Sequence, residues 1–247
     1  MSSGRIAIVG GGIAGQALCE ALRERDPDAP IALVCGEARL PYDRVRLSEL
    51  LVSGEDAGSL ALRPPEWFQD NGVEVLLGRR ALGLAARSNG ARALELDDGT
   101  ALRFDRLALA TGSQPLMPPL PGIDLPGIHP FRGPEDCERI RAAASCGGRA
   151  VVIGGGLLGL EAARGVHAQG CATTVVHLMD RLMERQLDTG AAALLAPAFE
   201  RLGIEVLLER HTQALLGGED GVRGLRFADG DELEADLVVV SIGVRPE

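Results

Sequence analysis

The chain has 247 residues, of which 46% are hydrophobic and 3% aromatic, and a formal net charge of −10. That length suits one large domain or two small ones with real cores. The acidic balance and scarcity of aromatic side chains argue against a nucleic-acid partner or an anionic membrane surface.

Residues 5–9 read as a strand, entered without the basic-then-apolar leader of a secretory signal. G-G-G-I-A-G follows at Gly10, Gly12, Ala14 and Gly15, then a helix from residue 12 to about 25 and a strand at 31–35. Strand, glycine turn and helix N-terminus form a dinucleotide-binding fingerprint. The glycines let backbone amides approach a pyrophosphate, which the positive end of the helix dipole holds. The loop 36–48 carries P-Y-D-R, and a short strand is expected at 73–77. Residues 91–96 and 101–104 flank D-D-G-T and predict a hairpin, because D-D-G supplies a positive-φ turn. A strand at 106–110 ends in A-T-G-S, with Ala110, Thr111 and Gly112 at its carboxyl end.

From residue 114 to 134 the chain is rich in Pro and Gly, which predicts a linker or crossover and no core element. A helix at 135–144 leads to a strand at 150–153 and a second fingerprint, G-G-G-L-L-G, at Gly154, Gly156, Leu157, Leu158 and Gly159. A helix at 157–169, a strand at 173–177, a helix at 189–202 and a strand at 204–208 follow. A polar hairpin region and a strand at 236–240 complete the series, and I-G-V-R-P-E, with Gly243 in its turn, is expected to lead back into the first domain. The fingerprints stand 144 positions apart, too far for a solenoid and suited to duplicated domains. The expected fold is α/β: two Rossmann-like, three-layer dinucleotide-binding domains of the FAD/NAD(P)-binding type, the first incomplete. Residues 1–113 are expected to form the first segment of the first domain, 114–243 the second domain, and 244–247 a stub of the return. Two sites on one chain hold two dinucleotides, and flavin plus nicotinamide, which exchange a hydride, is the economical pairing.

Candidate ligand contacts follow from position. Glu37, 27 residues after Gly10, either accepts ribose hydroxyls or is a solvated loop acid. Arg44 offers its guanidinium fork to a pyrophosphate or to an ion pair with Asp43 or Glu49. The Thr111–Gly112 turn is a ligand contact or a plain strand end. In the second unit His177 occupies the ribose-acid position and no carboxylate ends that strand. Nearby Arg181 and Arg185 leave room for a 2′-phosphate, so weak discrimination between NADH and NADPH is expected; the alternative is that His177 faces solvent and the arginines cap a turn. Glu161, placed on the first turn of its helix, reaches the nicotinamide end or complements the dipole. The four histidines lack metal spacing, and Ser113 lies in no nucleophile elbow, so neither a metal nor a catalytic side chain is expected. Cys19, Cys35, Cys137, Cys146 and Cys171 form no redox pair, which suits a reducing compartment and a cytoplasmic protein. No stretch is long and apolar enough to span a bilayer.

Across all 247 positions these features resemble the pyridine-nucleotide disulfide oxidoreductase superfamily: both fingerprints, the A-T-G turn, and V-V-V-S-I-G-V-R-P near the end. Y-D-R-V-R-L-S at 42–48, G-G-G-L-L-G-L-E-A-A at 154–163 and H-L-M-D-R-L-M-E-R-Q-L-D at 177–188 are similar to the N-terminal part of the NAD(P)H-dependent nitrite reductase large subunit. The resemblance implies FAD at Gly10, Gly12, Gly15, Glu37, Arg44, Thr111 and Gly112. NADH or NADPH would lie at Gly154, Gly156, Gly159, Glu161 and Gly243. It also implies a hydride passed to FAD and single electrons passed on to an iron–sulfur and sirohaem module, on a longer polypeptide or another protein, with a homodimer among the admissible assemblies. Two departures stand out. Glu49 replaces the Lys that ends the P-Y-D-R-x-x-L-S string in rubredoxin and ferredoxin reductases, and the family's second FAD segment would begin past Glu247. Flavin binding by these residues alone is therefore expected to be weak. A stand-alone rubredoxin- or ferredoxin-type reductase and a non-catalytic nucleotide-binding module are the alternatives.

Overall fold

A computed structural model describes residues 4–86 and 92–247, so Ala91, expected to open a strand, lies outside the described residues. In chain order the elements are β1 (Ile6–Val9), α1 (Ile13–Arg25), β2 (Ile31–Cys35), α2 (Leu47–Ser53), α3 (Pro65–Asp70), β3 (Val73–Leu77), β4 (Ala81–Ala86), β5 (Arg92–Leu96), β6 (Ala101–Phe104), β7 (Arg106–Leu109) and β8 (Ser113–Pro115). Then come β9 (Ile128–Pro130), α4 (Pro134–Ala144), β10 (Arg149–Ile153), α5 (Leu157–Ala168), β11 (Ala172–Val176), α6 (Thr189–Ala192) and α7 (Leu195–Arg201). The last are β12 (Glu205–Leu207), β13 (Thr212–Gly218), β14 (Gly221–Phe227), β15 (Glu232–Glu234), β16 (Leu237–Val240) and β17 (Val244–Pro246). The chain divides into two compact units. The first takes the described residues up to Val45, those from Ala57 to Ser113, and Pro246–Glu247; the second takes Arg46–Asp56 and Gln114–Arg245.

The first unit is built on a parallel sheet in the order β3-β2-β1-β7. Every residue of β1 and β2 is buried, as unbroken apolar runs require when both faces of a parallel sheet are covered. Alternation then sorts the side chains. Ile6, Ile8, Ile31 and Leu33 pack with Cys19 of α1 and Phe68 of α3. Ala7, Val9, Ala32 and Val34 pack with Leu94, Leu96, Leu102 and Phe104 of the antiparallel sheet β4-β5-β6. Each large aliphatic side chain buried in these layers contributes roughly 1.5–3 kcal/mol.

The second unit repeats this plan with a five-stranded parallel sheet, β12-β11-β10-β16-β9. Val151, Ile153, Val176, Val238 and Val240 meet Leu215, Val222, Leu225 and Phe227 of the antiparallel sheet β13-β14-β15. On the helical side α2 joins α4 and α5: Gln169 Nε2 donates to the Leu51 carbonyl at 2.5 Å and Cys137 Sγ to the Leu47 carbonyl at 3.6 Å. Gly165 of α5 permits the approach, since a Cβ there would lie 2.7 Å from that of Leu51.

Three expectations are corrected. The Pro- and Gly-rich stretch 114–134 does supply a core element, because β9 pairs in parallel with β16, Ile128 opposite Val238. Pro130 is tolerated there because β9 is the edge strand, where a missing N–H leaves no inner ladder bond unmade. The single helix at 189–202 is two, α6 and α7. Pro197 has no N–H to continue the ladder, and its ring conflicts with the carbonyl four residues back. The loop 36–48 ends in a 3₁₀ turn at Arg44–Arg46 that leads into α2.

Candidate functional site

Both glycine turns are built alike. The Gly10 amide donates to the Val34 carbonyl and the Ala110 amide to that of Val9, at 2.9 and 2.7 Å. In the second unit the Gly154 amide donates to Val176 and the Ser241 amide to Ile153, both at 2.9 Å. Gly10 and Gly154 have φ of +122° and +127°, and a Cβ on either would overlap the carbonyl oxygen of Ala110 or Ser241. A Cβ on Gly15 or Gly159 would overlap the carbonyl oxygen of Gly10 or Gly154, so these two let each helix pack onto its own turn.

Gly12 and Gly156 behave differently. They cap α1 and α5 in extended backbone without a side-chain hydrogen bond or an acid in the first turn, and a Cβ on either would meet nothing within 4 Å. The open space in front of each helix, at the positive end of its dipole, suits a pyrophosphate. Ala14 and Leu157 are exposed beside these caps, and Leu158 is half-buried.

In the first unit Thr111 and Gly112 are exposed at the end of β7, with Ala110 half-buried beneath them. The Arg44 guanidinium meets Glu37 Oε1 at 2.6 Å and lies 4.8 Å from the Tyr42 ring centre. The structure therefore brings two sequence-derived candidates together just beyond β2. Glu49 belongs to the second unit and is held by Arg46 at 2.6 Å.

In the second unit Gly243 has φ +127° and its carbonyl accepts from the Leu116 amide at 2.9 Å. His177, next after β11, does not face solvent: its side chain is 11% exposed. Its Nδ1 accepts from the Gly155 amide at 3.0 Å, so the ring proton sits on Nε2, 3.1 Å from Glu184 Oε2. A carboxylate from the loop that follows the strand therefore stands beside His177. Arg181 meets Asp180 at 3.0 Å, and Arg185 lies 3.7 Å from Glu184. The middle glycines, which sequence reasoning passed over, make room for these neighbours. A Cβ on Gly155 would lie 2.6 Å from His177 Cγ, and one on Gly11 would overlap Cys35 Sγ. The signal was the middle glycine in each G-G-G, at the position that the G-x-G spacing leaves open to any residue.

Glu161 is the fifth residue of α5, one turn deeper than expected, so it does not complement the dipole from the first turn. Burial pushes its carboxyl above the usual range, partly offset by a hydrogen bond with Ser48. An acid raised in the folded state stabilises the fold below its unfolded value, near 4.5, and that contribution is lost as pH rises through the folded value. Glu161→Gln should therefore raise stability at neutral pH. The gain is small, up to about 0.5 kcal/mol for a half-buried group still screened by solvent, and should vanish in urea titrations below about pH 4.

Cys19, Cys35, Cys137 and Cys171 are buried, and Cys146 is exposed. Burial pushes Cys19, Cys35 and Cys137 up to about 12, and raises Cys171. Thiols so protonated are unreactive. A colorimetric disulfide reagent should modify one cysteine rapidly in the native protein, with loss at Cys146→Ser, and all five only after unfolding. Among the described residues no His, Cys, Asp and Glu side chains gather as a metal site, and no helix is long and apolar enough to cross a membrane.

The family model for pyridine nucleotide-disulphide oxidoreductases matches residues 4–247. The chain is 37% identical over 247 residues to a nitrite reductase [NAD(P)H] of Bacillus subtilis, covering all of this chain and 30% of that protein. It is 35% identical over 242 residues to rhodocoxin reductase of Rhodococcus erythropolis, covering 98% of this chain and 56% of that one. Among solved structures, a ferredoxin reductase from Rhodopseudomonas palustris superposes with a TM-score of 0.91 at 33% identity, covering 97% of this chain and 59% of that chain. The chain thus spans between a quarter and a third of the nitrite reductases it resembles.

Proposed function

Because the chain belongs to the pyridine nucleotide-disulphide oxidoreductase family, we propose that it is the FAD- and NAD(P)H-binding part of a nitrite reductase large subunit, an oxidoreductase that takes a hydride from the nicotinamide and delivers electrons onward. The observation that carries this reading is the duplicated phosphate cradle, with open caps at Gly12 and Gly156 on two independently built units. Bound there, the two cofactors would supply the hydride chemistry themselves, from nicotinamide C4 to flavin N5. The protein's part is to bind and orient. In the first unit the α1 N-terminus would hold the pyrophosphate of FAD and the Glu37–Arg44 pair would meet its ribose and phosphates. In the second, α5 would hold that of the nicotinamide nucleotide. On this reading the FAD-binding part is residues 1–113 and the NAD(P)-binding part 114–243, with Arg46–Asp56 grouped with the second unit. The onward acceptor is an iron–sulfur and sirohaem module, in a cytoplasmic setting that suits the four buried, protonated thiols.

The test uses the full polypeptide that carries this chain, reconstituted with FAD under anaerobic conditions. One equivalent of NADH or NADPH should bleach the flavin's visible absorbance, and nitrite should then restore it. Failure of both nicotinamides to bleach a bound flavin would end the oxidoreductase reading. The superposition on a ferredoxin reductase favours a second reading, delivery to a small iron–sulfur protein. Recovery of the band with such a carrier and not with nitrite would decide for it.

A further inference from the structure

The spacing of the second fingerprint supplies no acid at the end of β11, yet the loop after that strand delivers one. Met183 has φ +52°, a conformation that turns the chain back sharply, and its amide donates to the Gly155 carbonyl at 2.9 Å. Leu182, beside it, is buried. This reversal brings Glu184 Oε2 to 3.1 Å from His177 Nε2. His177 is itself held on three sides. Gly155 donates to its ring at 3.0 Å, its amide donates to the Leu207 carbonyl and its carbonyl accepts from the Arg210 amide, both at 2.9 Å. The position of the carboxylate is thus set by the glycine turn itself, through one imidazole.

We propose that Glu184, positioned by His177, is the carboxylate that receives the adenosine ribose hydroxyls in the second unit and refuses a 2′-phosphate, so that the site selects NADH over NADPH. The inference rests on the nicotinamide assignment made above and deepens it. The carboxyl end of the strand that follows the fingerprint helix is where a dinucleotide's adenosine ribose lies. A carboxylate there accepts from both ribose hydroxyls, whereas a 2′-phosphate has no proton to offer and carries like charge. The local cations do not reverse this. Arg181 is engaged by Asp180, and Arg185 stands against Glu184 itself, so the loop presents no surplus positive charge. With Nδ1 accepting from Gly155, His177 adds none. Glu184 is the binding residue and His177 a positioning residue.

The test is calorimetric binding of NAD⁺ and of NADP⁺ to the protein in saturating FAD, independent of turnover. The wild type should bind NAD⁺ at least about tenfold more tightly, as expected from charge-assisted hydrogen bonds gained by one ligand and lost by the other. Glu184→Gln and His177→Leu should each bring the two affinities to within about threefold. His177→Gln, whose amide N–H can stand in for Nε2–H, should keep the preference, which a merely structural role for the ring would not explain. Glu209→Gln, in an exposed residue whose amide bonds the Met179 carbonyl of the same loop, should leave the ratio unchanged. Equal or tighter NADP⁺ binding by the wild type overturns the proposal without any variant. So does an unchanged ratio in folded Glu184→Gln, and in both cases the nicotinamide assignment survives. Binding of neither nucleotide overturns both.

Discussion

Gly154→Ala should destabilise the protein by about 3 kcal/mol, and Gly10→Ala by a similar amount, read as lowered urea midpoints. Two costs add at each position. The backbone sits at φ +127° or +122°, a region that side chains make expensive, and the new methyl would overlap the Ser241 or Ala110 carbonyl oxygen. Neither oxygen can yield easily. The Ser241 amide is tied to Ile153 and the Ala110 amide to Val9, both in strands buried on two faces. Losses below about 1 kcal/mol would mean that the turns relax in ways the packing does not allow.

Gly156→Ala should do the reverse: leave the fold nearly untouched and weaken the nucleotide. Gly156 is extended, at φ −82°, and its Cβ would meet nothing within 4 Å. Alanine is a poorer cap than glycine, which costs a few tenths of a kcal/mol to about 1. The methyl would, however, stand in the open space before α5 that the proposed function gives to the pyrophosphate. A loss of at least about tenfold in NAD⁺ affinity, about 1.4 kcal/mol, is expected. A variant that binds normally would remove α5 from the phosphate site, whatever its stability. Read together, the two substitutions separate glycines that the turn needs from glycines that the ligand needs.

That separation shows what a sequence makes legible. The two turns could be placed from their letters because positive φ and backbone contact leave glycine as the one workable residue, so geometry is written directly into composition. Apolar runs such as I-A-I-V and A-V-V-I likewise announce strands covered on both faces. The assignment of α2 to the second unit was not legible, because it depends on Leu51 meeting Gly165 more than a hundred positions away. Nor was β9, whose Pro and Gly neighbours hide a strand that only its edge position permits. Glu184 was hidden more deeply. It lies seven positions past His177 and arrives through a left-handed Met183, a conformation that no propensity of methionine signals. Pro197 could have been read as the break between α6 and α7, since its missing N–H is a local property.

The proposed function requires two equivalent cradles, one in each unit. ADP, the fragment shared by both dinucleotides, tests this most directly in a calorimetric titration of the protein. The expected stoichiometry is two ADP per chain, with one site weakened at least about tenfold in Gly12→Ala, the other in Gly156→Ala, and both when both are changed. A single site in the wild type, or two sites of undiminished affinity in the double variant, would contradict it.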